Sequence, residues 1–157
     1  MTYYERITYL IGEYNQYCTY LFSNAVKLIL LLDSQDKIKT ISPELVLQEV
    51  EVKSAINYSS FINASFEDKK NLITNSKLSI KNQNKLIELI NFQTYLDFNF
   101  FIDFDNGFES EDIKVYEKAI SSITDKENDA KELNKEIYTK MQKLNKEYLA
   151  ITHTKYF

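Results

Sequence analysis

Apolar residues return at every third or fourth position over the first thirty residues. Tyr3, Ile7, Leu10, Tyr14, Tyr17, Leu21, Leu28 and Leu31 make one stripe, and only Asn24 interrupts it. That period is the mark of an amphipathic helix. Thr2 and Glu5 stand at capping-box spacing, so each side chain can satisfy an orphan backbone N–H of the first turn. The pattern predicts a helix to about Asp33, with Gly12 a tolerated weak point.

The stretch SQDKIKTIS, residues 34–42, reads as a connector. Ser42-Pro43-Glu44 then combines a side-chain cap, a proline at the first helical position and an acid at the positive helix end. The second helix runs to about Asn63, although VLQEVEVK (46–53) carries some period-2 character. Ser65 and Asp68 mark a short third helix of two turns. A fourth begins at about Lys77 and uses Leu86, Ile87, Leu89, Ile90 and Phe92 as its apolar face. After Tyr95 the pattern changes. Leu96, Phe98, Phe100, Ile102 and Phe104 alternate with mostly polar residues, which is a strand period, and a DNG turn signal follows. Helix is the favoured reading, because no second strand of matching quality follows to pair its backbone.

The last segment, about 111–152, starts after Ser110, a plausible cap. Ile113, Tyr116, Ile120, Ile123, Ala130, Ile137, Met141, Leu144, Tyr148 and Ile151 follow a seven-residue repeat, with Glu127 and Asn134 as polar residues in apolar slots. One helix of that length would span roughly 60 Å. Two outcomes stand. Thr124 and Glu127 cap a new helix and break the segment, or the helix projects and its heptads pair with a second copy. In the second case Ile137, Met141, Leu144 and Tyr148 are the self-association residues of a homodimer.

Composition narrows the fold to the all-α class. The only breakers are Gly12, Gly107 and Pro43, whereas multi-stranded folds spend glycine and proline on turns. The expectation is a four- to five-helix bundle with long N- and C-terminal helices, a single helical domain over residues 1–157. The most apolar run, AVKLILLL (25–32), is too short to span a bilayer and contains Lys27. A single cysteine excludes an internal disulfide and suits a reducing compartment. No basic-then-apolar signal opens the chain. A cytoplasmic protein, away from membranes, is expected.

Equipment for catalysis is missing from the pattern. His153 is the sole histidine, so neither a histidine triad nor a two-histidine metal site can be built in one chain. Cys18 lies on the apolar side of the first helix, the place of an inert buried thiol. Two isolated glycines cannot form a phosphate-cradling loop. DFDNGFESED (103–112) resembles a calcium loop only superficially. Counted from Asp103, Gly107 falls fifth instead of sixth, and Lys114 takes the twelfth place, where a glutamate is needed. No cofactor and no metal are expected.

Charge is the uneven feature. The net charge is −4, which argues against a dedicated duplex nucleic-acid binder. Five lysines, Lys69, Lys70, Lys77, Lys81 and Lys85, fall in a stretch without acids, and seven acids from Glu88 to Asp112 fall in a stretch without bases. Residues 92–112 hold seven aromatics and six carboxylates. Aromatics are enriched at interfaces, and a negative rim steers a positive partner. The candidate partner-binding residues are therefore Asp97, Phe101, Asp103 and Asp105, continued by Phe108, Glu109, Glu111 and Asp112. Such a surface would suit a non-catalytic protein-binding module, such as an inhibitor, immunity or antitoxin-like factor that blocks a basic, nucleic-acid-binding protein. Two alternatives remain. One is a nucleic-acid-associated assembly subunit using Lys69 to Lys85, with Lys77, Lys81 and Lys85 on one helical face. The other is an enzyme using carboxylates and a divalent metal. Tyr9 and Tyr20 fall off the first-helix stripe, where tyrosine favours contact with partners.

Overall fold

Five α-helices pack side by side in a computed structural model that describes residues 2–100 and 113–155. They are α1 (Tyr3–Asp33), α2 (Pro43–Ile62), α3 (Phe66–Thr74), α4 (Ile80–Phe98) and α5 (Ile113–Lys155). No strand occurs among the described residues. The protein is an all-α bundle with long N- and C-terminal helices.

Local chemistry sets most boundaries where the pattern places them. The Glu5 N–H donates to Thr2 Oγ1 at 3.1 Å and the Thr2 N–H to Glu5 Oε2 at 3.0 Å, so the capping box forms. The Asp68 N–H donates to Ser65 Oγ at 3.2 Å and starts α3. Ser42 makes no side-chain cap bond, and α2 begins on Pro43 alone. The connector before it contains a 3-10 turn, Lys37–Lys39, which tucks Ile38 into the core. The start of α4 differs from the expectation. It opens at Ile80 on a Ser79 cap, with Gln83 Nε2 donating to the carbonyls of Leu78 (2.9 Å) and Ser76 (3.2 Å). That brace holds residues 76–79 as a turn and leaves Lys77 outside the helix.

The 96–104 alternation resolves only in part. Leu96 and Phe98 belong to α4 and Phe100 is buried; Phe101 to Phe104 and the DNG signal lie outside the described residues. Ser110 lies there too.

The last helix is neither broken nor capped at Thr124. It continues for 43 residues, roughly 65 Å. Nor is its heptad stripe free for a second copy. Ile137, Met141 and Tyr148 are buried within the chain, and Leu144 is half-buried against the same core. The covering element is α1, the main packing partner of α5. A heptad stripe demands a facing helix but does not say which chain supplies it.

Side-chain contacts give the topology. Tyr3 stacks on Tyr116, with ring centroids 5.1 Å apart. Asn24 Nδ2 donates to Asn134 Oδ1 at 2.8 Å, and the Tyr148 hydroxyl donates to the Leu31 carbonyl at 2.6 Å. Rising numbers on α1 thus meet rising numbers on α5, so the two run parallel. Tyr14 donates to the Leu89 carbonyl at 2.7 Å, while Leu28 and Leu32 share a cavity with Leu78. Hence α4 runs antiparallel to α1. Phe22 meets Phe61 edge-on at 5.6 Å and Lys27 pairs with Glu51, so α2 is antiparallel as well.

Two polar interruptions of the stripes therefore answer each other: Asn24 of α1 finds Asn134 of α5. A partner lost from such a pair leaves the other amide half-buried and unmatched. Asn24→Leu should cost about 1 kcal/mol in urea unfolding, and adding Asn134→Leu should recover that loss. A double variant no more stable than the single one would show that the pair carries no coupling.

Candidate binding surfaces

Of the acidic aromatic residues proposed to meet a partner, Asp97 is exposed on the last turn of α4. Phe101, Asp103, Asp105, Phe108, Glu109, Glu111 and Asp112 lie outside the described residues.

The lysines do not form one stripe. Lys69 and Lys70 sit on α3, Lys77 in the α3–α4 turn, and Lys81 and Lys85 on α4. The Lys69 ammonium lies 5.8 Å from the centroid of the Phe61 ring. Lys85 borders a cleft of about 220 Å³ with Glu88, Asp129 and Glu132. Glu88 there is paired with Lys126, which leaves Asp129 and Glu132 to offset the field Lys85 would offer a phosphate.

Cys18 is fully buried, and burial pushes its thiol up to about 12, partly opposed by a hydrogen bond with Tyr14. A thiol so protonated at neutral pH is a poor nucleophile. Burial also raises the Tyr14 hydroxyl above its ordinary value, and the Tyr148 hydroxyl likewise. Among the described residues no group of three or more His, Cys, Asp or Glu is placed to hold a metal ion. No helix among them is long and apolar enough to cross a membrane.

Pattern reading missed the concave surfaces, because each is assembled from distant segments. One of them, about 670 Å³, lies between α1, α2 and α3. Val26, Ile29, Leu30, Phe61 and Leu72 supply its apolar lining, Asp33 and Asp68 its charges, and no Lys or Arg lines it. Next to it, the outer side of α2 carries Leu45, Val52 and Ile56, each about 60% exposed. At 100° per residue they fall within about 40° of one another on the helix. This explains the mixed period of VLQEVEVK: α2 is apolar on a covered side, through Val46 and Val50, and on an uncovered one. The signal was present in the sequence as an extra apolar face, without a clue to which face would be covered.

A smaller cavity of about 230 Å³ lies where α1, α5 and the start of α4 meet; Lys77, Lys140 and Lys143 line it. On α1, Tyr9, Tyr17 and Tyr20 surround Gly12 in a shallow surface depression. Tyr9 and Tyr20 are exposed, while Tyr17 is half-buried under the Lys131 ammonium, 4.5 Å from its ring centroid.

Compared with known protein families, curated proteins and solved structures, the chain matches none. Its function is therefore argued from these surfaces alone.

Three outcomes follow from the burial. Ile137→Asp places a carboxylate in the α1–α5 seam and should unfold the chain, seen as lost helical circular dichroism, instead of yielding a folded monomer. Cys18 should react with a thiol reagent only on unfolding. Because the fold raises the Cys18, Tyr14 and Tyr148 pKa values, their contribution to stability is complete below the unfolded thiol value of about 8.5. It is lost as pH rises from there through the folded value of about 12 for Cys18. Urea midpoints should therefore fall above about pH 9, and Cys18→Ala should remove part of that fall.

Proposed function

We propose that this chain is a non-catalytic protein-binding module whose partner presents a basic, amphipathic segment. The observation that carries the reading is the α1–α2–α3 groove, apolar in its lining, with Asp33 and Asp68 as its charged lining residues. Amphipathic helices dock by inserting apolar anchors into such grooves, while flanking cations meet acids at the rim. At the aromatic edge of the groove the chain's own Lys69 ammonium lies over the Phe61 ring, the kind of contact a partner's cation would compete for. The uncovered Leu45, Val52 and Ile56 face extends the apolar area beside it.

The acidic run from Asp97 to Asp112 adds to the same electrostatic preference, since seven acids and no base lie between Glu88 and Asp112. A protein of net charge −4 with this charge placement suits the blocking of a basic surface, as an inhibitor or immunity factor does. The rival lysine-face reading loses support, because Lys77 is off the α4 helix and Lys85 stands among carboxylates.

The test uses two labelled helical peptides with the same leucine face, one flanked by lysines and the other by glutamates. The lysine peptide should bind with an affinity that falls as salt rises, and the glutamate peptide should not bind. Asp33→Lys with Asp68→Lys should abolish capture without altering the circular dichroism spectrum. Reversing Asp103, Asp105 and Glu109 to lysine measures the share of the acidic segment. Undiminished binding in both charge-reversed variants would overturn the proposal.

A further inference from the structure

Polar groups taken out of water in this fold find partners, with one exception among the described residues. Asn82, in the first turn of α4, is fully buried, and neither its Nδ2 nor its Oδ1 is hydrogen-bonded. Leaving such an amide unmatched destabilises the fold, a cost that leucine at this position would not carry. Its backbone N–H is already used on the Ser79 cap, at 3.2 Å. The side chain is thus a donor and an acceptor, side by side, held in place and unused.

Asn82 lines the cavity of about 230 Å³ between α1, α4 and α5. Leu28, Leu32, Leu78 and Leu144 give that cavity its apolar walls. Lys77, Lys140 and Lys143 border it, against one carboxylate, Glu147. Lys140 shares its charge with Glu136 at 3.6 Å. The positive end of α4, a helix of 19 residues, points to the same place. An anion is therefore favoured at the rim, and a flat apolar body with a hydrogen-bonding edge is favoured inside.

We propose that this cavity binds a small anion whose flat apolar body carries adjacent donor and acceptor groups, the chemistry of an adenine mononucleotide. Asparagine pairs in bidentate fashion with the N6 and N7 edge of adenine. The leucines contact the ring faces, and the phosphate meets the lysines at the rim. A volume of about 230 Å³ is below the range of drug-sized pockets, so the base enters and the phosphate stays at the mouth. The Asn82 amide has no water-accessible surface, so the base reaches it only as the cavity wall rearranges.

The experiment titrates the full chain with adenosine monophosphate, adenosine and inorganic phosphate separately. It follows melting temperature and the side-chain amide resonances of Asn82. The nucleotide should raise the melting temperature and move those resonances, with adenosine and phosphate each weaker by about tenfold or more. Asn82→Leu should raise the melting temperature of the unliganded chain and weaken nucleotide binding by about tenfold or more. Lys77→Ala with Lys143→Ala should weaken the nucleotide and leave adenosine unchanged, a comparison that does not depend on the Asn82 variant folding. Three results would overturn the proposal: no response to millimolar nucleotide, phosphate binding as well as the nucleotide, or full nucleotide affinity in Asn82→Leu.

Discussion

The parallel seam between α1 and α5 is the constraint from which the rest of the bundle follows. Ile7, Tyr14, Leu21 and Leu28 on α1, with Cys18 and Ala25, meet a seven-residue repeat on α5 that includes Tyr116, Ile123, Ala130 and Ile137. Apolar burial drives the contact, at about 1.5–3 kcal/mol for each large side chain removed from water. Burial alone does not fix register, since one heptad step would present a similar stripe. The Asn24–Asn134 pair supplies the missing discrimination, because a slip of one heptad in either direction would break the bond between the two amides. Glu127 is the third polar position on the seam. It is buried and answered by Lys131 Nζ at 3.1 Å, which in turn lies over Tyr17.

With two parallel rods fixed, the connection between them must pass along the bundle an odd number of times. The chain descends along α2, returns through the short α3, and descends again along α4. It then reaches the end of the bundle where α1 began. Tyrosine hydroxyls tie this layout at two heights: Tyr14 to the backbone of α4, and Tyr148 to the backbone of α1 near its last turn. Each bond satisfies a buried phenol and draws on a carbonyl that already serves its own helix. The tyrosines on the stripes therefore act as long hydrophobic residues with a polar tip.

Much of this architecture was legible in the sequence, because periodicity and capping are local. Thr2 with Glu5, Ser65 with Asp68, and the two long stripes placed most helix ends within a few residues. What stayed illegible was non-local. Nothing near Ile137 says that its stripe would meet α1 instead of a second copy, and nothing near Thr124 says that its capping potential would lose to continued burial on both sides. The Lys77 to Lys85 spacing was read as one face, but Gln83 turns back to brace residues 76–79 and removes Lys77 from the helix. The groove and the cavity each draw on three elements, so no window of the sequence contains either.

Those two concave surfaces are of opposite character and share a wall. Ser76 lines the acid-bordered groove, and Lys77, the next residue, lines the lysine-bordered cavity. The last turns of α1 serve both, with Leu30 and Asp33 facing the groove and Leu28 and Leu32 facing the cavity. The turn between α3 and α4 is held by the Ser76 hydroxyl on the Ile73 carbonyl at 2.6 Å and by the Gln83 amide. A shift of that turn changes the border of both surfaces together. Residues 76–79 thus contribute to the border of both surfaces. The same turn sets the first residue of α4, and with it the position of Asn82.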